Sequence, residues 1–301
     1  MKKMTALILS LIILSAVPGC SDKAKGSLVS TNPDRSFSSE PESLVRDSEY
    51  NYEVREILCE NKGKKIYGKA YVPVADGKVP LVIACHGFGT NHEIGEGYAE
   101  EYAKHGIALY TFDFCGGSGD GCENLSDGKT TDMSVMTEAS DLGEVYLAAK
   151  EWDFVDEKRI FFQGGSQGGL VAAIAGIRFR REIAGLILLY PAFDTYDNIH
   201  SEFSLGDLPD EFDFEGITVG RKYVEDLWNY DARDHISGFE KPVLILHGSE
   251  DDVVPPSYSK EASKLYPNCT FFLISGAEHG FSGRYIGEAG DLALDFIFKN
   301  I

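Results

Sequence analysis

The stretch RIFFQGGSQGGL, residues 159–170, decides the fold of this chain. An apolar run at 160–162 enters four glycines that surround Ser166, and apolar residues then recur at helical spacing up to Ile177. A Gly-x-Ser-x-Gly segment between a strand and a helix has the context of a sharp turn that exposes a serine nucleophile. Glycines give such a turn steric clearance. A merely flexible glycine loop is the alternative, and the rest of the chain must discriminate between the two.

Short apolar runs on both sides of this stretch predict buried parallel strands. A parallel sheet covered on both faces reads as continuous apolar strands, separated here by helical patterns such as that of 134–152. An alternating pair of segments with a turn at Asn61-Lys62-Gly63 predicts an additional antiparallel hairpin. The result is an α/β fold with a mostly parallel, eight-stranded sheet flanked by helices. The six predicted parallel strands are 81–84, 107–112, 160–162, 186–189, 243–246 and 271–274.

Polar residues follow four of these strands where each one ends. Ligands bind beyond the carboxyl ends of the strands in such sheets, so these segments should meet at one edge. Ser166 is the candidate nucleophile, and His279, in the turn after the last strand, is the candidate general base. His86 and His247 directly follow strands and are expected to brace loops instead.

The candidate acid is Asp251, which would hold the imidazole tautomer and stabilise the imidazolium. Asp252 is a close rival by pattern, and Asp194, after the strand at 186–189, is a weaker third candidate. Two backbone donors are also required for an oxyanion: the N–H of Gln167, after the nucleophile, and that of Phe88 in the HGFG segment.

Two segments before about residue 49 differ in composition from the rest of the chain. Lys2 and Lys3 precede an apolar run that ends before Cys20, which predicts a signal peptide over 1–20. Cys20 after a small residue resembles a bacterial lipobox, so the expected location is exported, either as a cell-surface lipoprotein or secreted. Residues 21–48 predict a flexible linker, and 49–301 the folded domain.

Composition and motif context argue against nucleic-acid, zinc and dinucleotide binding. The net charge of −20 and pI of about 4.7 argue against nucleic-acid binding. Cys115 and Cys122 lack the clustered histidines of a zinc site, and 116–119 leads into a polar loop instead of a dinucleotide-binding helix. No metal and no cofactor are expected.

A long connection between Pro191 and Lys241 carries many aromatic residues and carboxylates. Connections of this length in a compact domain are usually lids or insertions. The predicted lid covers about 192–236.

Taken together, these motifs resemble the α/β-hydrolase superfamily, and in particular bacterial cinnamoyl (feruloyl) esterases. The resemblance covers about residue 50 to the end. It implies Ser166 as nucleophile, His279 as base, Asp251 as acid and Phe88 and Gln167 as oxyanion donors. The segments that carry it are ACHGFGTN, YTFDFCGGSGDG, GGSQGGLVAAIAG, LLYPAF, KPVLILHGSEDDVVP and GAEHGF.

The expected activity is that of a serine carboxylic ester hydrolase acting through an acyl-enzyme on small-molecule or carbohydrate-linked esters, with hydroxycinnamoyl esters as the implied class. A serine peptidase of the prolyl-oligopeptidase type is the second interpretation, disfavoured because too few residues precede the domain for the propeller that gates such enzymes. A non-catalytic surface lipoprotein is the third.

Overall fold

A computed structural model describes residues 49–119 and 121–301 of the chain. The predicted signal peptide, the linker and Cys20 lie outside the described residues. Within the described part, no helix has the length and apolar character needed to cross a bilayer. Its five cysteines, Cys59, Cys85, Cys115, Cys122 and Cys269, are all free thiols.

Ten strands form the sheets of the described structure. They are β1 Tyr52–Asn61, β2 Lys64–Pro73, β3 Val79–Cys85, β4 Ala108–Phe112, β5 Val155–Gly165, β6 Gly185–Leu189, β7 Glu211–Phe214, β8 Ile217–Gly220, β9 Val243–Gly248 and β10 Cys269–Ile274.

Eight of these strands make one sheet in the order β1-β2-β4-β3-β5-β6-β9-β10. From β4 to β10 every neighbouring pair is parallel, whereas β2 is antiparallel to both β1 and β4. The predicted eight-stranded, mostly parallel sheet is therefore confirmed. Strand β5, which carries the glycine-rich stretch at its end, lies between β3 and β6 in the middle of the sheet.

The hairpin β1–β2 turns where the sequence predicts it. Lys62 and Gly63 both have positive φ, 51° and 81°. Positive φ at both central residues defines the hairpin turn whose twist matches that of the flanking strands.

Seven α-helices of the described residues surround the sheets. They are α1 Glu93–Lys104, α2 Val135–Ala149, α3 Gln167–Arg178, α4 Thr195–Glu202, α5 Lys222–Glu225, α6 Pro256–Leu265 and α7 Arg284–Lys299.

The helices cover both faces of the large sheet, and successive side chains of each strand pack against opposite faces. In β3, Leu81 and Ile83 join the core shared with α2, α3 and α6, whereas Val82 joins the core shared with α1 and α7. Successive side chains of a strand point to opposite faces, so a strand buried on both sides must be apolar throughout. This arrangement explains the continuous apolar runs in the sequence.

Between β6 and β9 the chain forms an insertion that contains α4, the hairpin β7–β8 and α5. The Arg233 guanidinium binds Asp197 of α4 through two hydrogen bonds and lies over the ring of Tyr258 in α6, 5.5 Å from its centroid. Bidentate pairing of a planar guanidinium fixes orientation as well as distance. The insertion is thus tied to the helix that follows β9.

Candidate active site

Ser166 stands between β5 and α3 with φ 53° and ψ −123°. A residue with a side chain rarely adopts this conformation, which costs on the order of 1–3 kcal/mol and persists only where the surroundings enforce it. Two backbone hydrogen bonds enforce it here: the Ser166 N–H donates to the Leu189 carbonyl, and the Ser166 carbonyl accepts from the N–H of Ala192, each at 3.0 Å.

The glycines on either side of Ser166 are required by close backbone contacts. A Cβ on Gly164 would overlap the carbonyl of Gly168, and a Cβ on Gly168 would overlap the carbonyls of Cys85 and His86. The strand, the helix and the loop after β3 therefore meet with no room for side chains. The glycines serve as clearance for a tightly packed turn, and the turn is not a flexible loop.

The structure brings Ser166, His279 and Asp251 together in one hydrogen-bonded chain. His279 Nε2 lies 3.0 Å from Ser166 Oγ, and His279 Nδ1 lies 2.8 Å from Asp251 Oδ2. An ionised carboxylate only accepts hydrogen bonds, so Nδ1 carries the proton and Nε2 is free to accept the serine proton. This is the arrangement in which a serine hydroxyl can be activated by a neighbouring base.

The structure also distinguishes the two neighbouring aspartates. Asp251 is buried and its Oδ1 accepts hydrogen bonds from the N–H groups of Val253 and Val254, whereas Asp252 is exposed to solvent. His247 Nε2 lies 3.0 Å from Asp251 Oδ2, so the carboxylate is in contact with two imidazole rings, those of His247 and His279.

The electrostatics of Asp251 favour its ionised form. Burial alone would raise its pKa, but the hydrogen bonds from His247, His279 and the Val254 N–H outweigh burial, and the pKa is held well below its usual range. Such a carboxylate stays charged and can stabilise an imidazolium beside it. Asp194, the third candidate, is buried nearby and hydrogen-bonds to Asn198; burial raises its pKa.

The predicted oxyanion donors lie on either side of Ser166. Gln167 is the first residue of α3, where a backbone N–H has no partner within the helix. Phe88 belongs to the loop after β3, which passes so close that a Cβ on Gly87 would lie 3.5 Å from Ser166 Cβ. Phe88, Ser166 and Gln167 line one cleft with an empty volume of about 520 Å³.

His86 braces the loop that carries Phe88, as the sequence suggested. The Phe114 N–H donates to His86 Nε2 at 3.1 Å, and His86 Nδ1 donates to the Gly87 carbonyl at 2.8 Å. Burial lowers the pKa of His86 to about 4, which keeps the ring neutral and able to accept the Phe114 N–H.

Two residues that contact the site were missed by the sequence reasoning. The Gln167 side chain donates to Glu138 Oε2 at 2.8 Å and accepts from the Tyr223 hydroxyl at 2.7 Å. Glu138 is 1% exposed, and burial raises its pKa well above the usual value. One signal was available: Glu138 lies four residues before Leu142, on the apolar face of α2.

The remaining walls of the cleft combine aromatic and acidic side chains from the insertion. Phe214 packs edge-on and Tyr223 tilted against the Phe88 ring, with centroid separations of 5.4 and 5.5 Å, while Asp194 and Glu215 add carboxyl groups. Within residues 49–119 and 121–301, no cluster of three or more His, Cys, Asp or Glu side chains could hold a metal ion.

We predict that Gly164→Ala disrupts the turn at Ser166. The new methyl group overlaps the Gly168 carbonyl, so β5 and α3 must move apart. This movement should lower the free energy of unfolding by roughly 1–3 kcal/mol and abolish the alignment of Ser166 with His279. Urea unfolding and rates with an activated ester measure both effects. Gly206→Ala, at a site with nothing within 4 Å, is the control. Unchanged stability and rate in Gly164→Ala would contradict the account.

A second prediction concerns the pH dependence of stability. Burial raises the pKa of Glu138 in the folded state, so Glu138 keeps its proton to a higher pH there than in the unfolded chain, where it loses the proton above about pH 4.3. Because the folded state then binds more protons, stability falls with rising pH. The free energy of unfolding of the wild type should therefore decline relative to Glu138→Gln between about pH 5 and about pH 8.

Urea titrations across that pH range measure the difference, and Glu144→Gln gives the reference for removing a carboxyl group from the same helix. Parallel curves for wild type and Glu138→Gln would show that Glu138 does not retain its proton on folding.

Comparisons with known proteins agree with this architecture. The uncharacterized protein YfhR of Salmonella typhi is 27% identical over 253 residues, covering 75% of each chain. The structure of Est1E from Butyrivibrio proteoclasticus with ferulic acid bound is 28% identical with a TM-score of 0.74, and covers 81% of this chain and 98% of that one. A second Est1E structure gives 26% identity and a TM-score of 0.70, with coverage of 81% and 99%.

The family model described as the prolyl oligopeptidase family matches residues 98–300, which is well over half of the chain and includes Ser166, Asp251 and His279. The order of strands and the position of the turn at Ser166 are those expected of an α/β hydrolase. The protein therefore belongs to the prolyl oligopeptidase family and is a hydrolase with the α/β-hydrolase fold.

Proposed function

We propose that the protein is a serine carboxylic ester hydrolase that acts through an acyl-enzyme, with hydroxycinnamoyl esters of the ferulate type as its substrates. The observation that carries the proposal is the unbroken chain from Ser166 Oγ through His279 to Asp251, with separations of 3.0 and 2.8 Å. These groups have the geometry of a nucleophile, a base and an orienting acid.

In the proposed first step, Ser166 Oγ attacks the ester carbonyl while His279 Nε2 takes the hydroxyl proton. Asp251 holds the ring through Nδ1 and balances the positive charge that develops on it. Collapse of the tetrahedral intermediate expels the alcohol, which receives the proton from His279. A water molecule then attacks the acyl-enzyme with His279 again as base, releasing the acid and restoring Ser166.

The tetrahedral oxygen is stabilised by the backbone N–H groups of Phe88 and Gln167. Fixed donors aimed at developing charge in a site shielded from water are usually the largest single contribution to catalysis, and loss of one donor costs about 10²–10³ in turnover. Both residues line the cleft that contains Ser166, which supports this assignment.

Two observations support an aromatic acyl group. Est1E, which shares 28% identity with this chain, has been crystallised with ferulic acid bound. The cleft beside Ser166 presents the rings of Phe88, Phe214 and Tyr223, and aromatic rings prefer tilted or edge-on packing against one another at such distances. A planar cinnamoyl group suits a wall of this kind.

A peptidase of the prolyl-oligopeptidase type is the second candidate, and membership of that family favours it. Both reactions use the same catalytic groups, so the leaving group discriminates between them. A non-catalytic binding protein is the third candidate. The alignment of Ser166 with His279 argues against it, because a binding protein does not require a serine with a strained backbone hydrogen-bonded to a histidine.

Export is proposed from the predicted signal peptide at 1–20, with anchoring of the folded domain through a lipidated Cys20. Metabolic labelling with a palmitate analogue tests the anchor. Incorporation in the wild type and its loss in Cys20→Ala are expected, whereas a processed, unlabelled wild-type protein would indicate plain secretion.

Ser166→Ala should lose roughly 10⁴-fold or more in turnover while retaining the fold, because the nucleophile is gone and only binding and the oxyanion donors remain. Hydrolysis of a p-nitrophenyl ester and reaction with a fluorophosphonate probe measure the loss. Ser201→Ala, on the exposed surface of α4, is the matched control. Ester hydrolysis near the wild-type rate by Ser166→Ala would rule out this mechanism.

Substrate class is tested with a panel of methyl ferulate, methyl esters of short-chain aliphatic acids and peptide anilides. We expect kcat/KM to be highest for methyl ferulate, because only that ester carries its aromatic ring in the acyl group, where it can pack on the wall of Phe88 and Phe214. A preference for peptide anilides would instead establish the peptidase, and a preference for short aliphatic esters would refute the ferulate assignment alone.

A further inference from the structure

The insertion between β6 and β9 contacts both residues that carry the predicted oxyanion donors, and it does so through Tyr223. This residue is 2% exposed and lies in α5. Its hydroxyl donates to Gln167 Oε1 at 2.7 Å, while its ring packs against Phe88 with 5.5 Å between centroids. One side chain from the insertion thus reaches both halves of the hole.

The opposite end of the Gln167 amide is held from the body of the domain. Gln167 Nε2 donates to Glu138 Oε2 at 2.8 Å, so the amide is hydrogen-bonded at both ends and buried, with 4% exposure. A buried amide with one end unpaired would lose a hydrogen bond that water cannot replace. Rotation of Gln167 is therefore opposed from α2 on one side and from α5 on the other.

The loop that carries Phe88 is held from the insertion in a second way. A Cβ on Gly89 would lie 2.5 Å from Ile217 Cδ1 in the hairpin β7–β8, so the loop and the hairpin are in direct contact. Phe214 of the same hairpin packs on Phe88 at 5.4 Å. The loop after β3 is therefore covered by the insertion along the side that faces the cleft.

The insertion is itself fixed to the body near these contacts. Ser134 Oγ, at the start of α2, donates to Asp226 Oδ2 at 2.6 Å, and Thr130 Oγ1 donates to the Thr218 carbonyl at 2.6 Å. These bonds join the ends of α5 and β8 to the segment that leads into α2. The position of Tyr223 relative to Gln167 is set by this attachment.

We propose that Tyr223 is a positioning residue that braces both oxyanion donors, with Glu138 fixing the far end of the Gln167 side chain. The insertion then contributes to stabilisation of the transition state, in addition to covering the acyl group. The inference rests on the proposed function, because the oxyanion forms only in an acyl-transfer reaction.

Tyr223→Phe removes the hydroxyl and keeps the ring. Because the ring contacts with Phe88 and Phe214 remain, KM for methyl ferulate should stay within about twofold, whereas kcat should fall about tenfold, less than the loss of an entire donor. Tyr230→Phe, a tyrosine of the insertion outside the cleft of Ser166, is the control. Glu138→Leu should lower kcat in the same way, and Glu138→Gln should restore most of it.

A second readout separates positioning from general damage to the fold. An aryl trifluoromethyl ketone forms a hemiketal with Ser166 whose oxygen occupies the oxyanion hole, so its inhibition constant should weaken in Tyr223→Phe by the same factor as kcat/KM falls. Wild-type kcat and inhibition constant in Tyr223→Phe would overturn the proposal. A loss confined to KM would also overturn it, because it would assign the hydroxyl to substrate binding.

The failure of the proposed function has a different signature. If the wild type reacts with a fluorophosphonate at Ser166 yet hydrolyses none of the esters, the esterase proposal fails. The rate of that labelling still depends on the oxyanion hole, and a rate about tenfold lower in Tyr223→Phe than in Tyr230→Phe would uphold the role of Tyr223. Equal labelling rates would reject it.

Discussion

The positive φ of Ser166 is the constraint on which the rest of the site depends. A side chain held in that conformation projects from the end of β5, provided that β3, β6 and α3 approach closely enough to prevent relaxation. The approach is possible only because Gly164 and Gly168 present no Cβ to the opposing carbonyls. Packing of the central strands therefore fixes the position of the Ser166 hydroxyl group. The cost in conformational energy is offset by burial of the apolar strands around it.

Parallel strands bring the other groups to the same edge. The carboxyl end of β3 lies beside that of β5, and those of β9 and β10 are separated from it by one and by two intervening strands, so Phe88, Asp251 and His279 reach Ser166 from short loops. The loops are then fixed individually. Asp251 accepts hydrogen bonds from Val253, Val254 and His279 and lies 3.0 Å from His247 Nε2, while neutral His86 holds the loop of Phe88. The loops after β3 and β9 are thus each held by a buried polar side chain.

Local patterns predicted the parts of this structure that local physics determines. The apolar runs located all six parallel strands, and the Asn61-Lys62-Gly63 turn located the hairpin, because burial on two faces and positive φ leave clear marks in a sequence. The hairpin β7–β8 was not predicted, since its strands have only four residues each. Likewise, the sequence pattern could not distinguish Asp251 from Asp252, because the difference between them depends on tertiary packing. The contacts of Glu138 and Tyr223 with Gln167 depend on tertiary packing in the same way. No spacing in the chain reveals which residues an insertion will touch.

The free cysteines of the described structure have a consequence for chemical handling. Oxidation and alkylation proceed through the thiolate, and burial raises the pKa of Cys59, Cys85 and Cys269, and that of Cys115 to about 12. Cys122 is the one exposed thiol among the described residues, and it lies beyond Ser118, which bridges to Gly89 next to Phe88. Among the described residues, a maleimide dye at neutral pH would accordingly attach at Cys122. That place lies four residues along the chain from the bridge between Ser118 and Gly89, so a dye there marks the segment that pairs with the loop of Phe88.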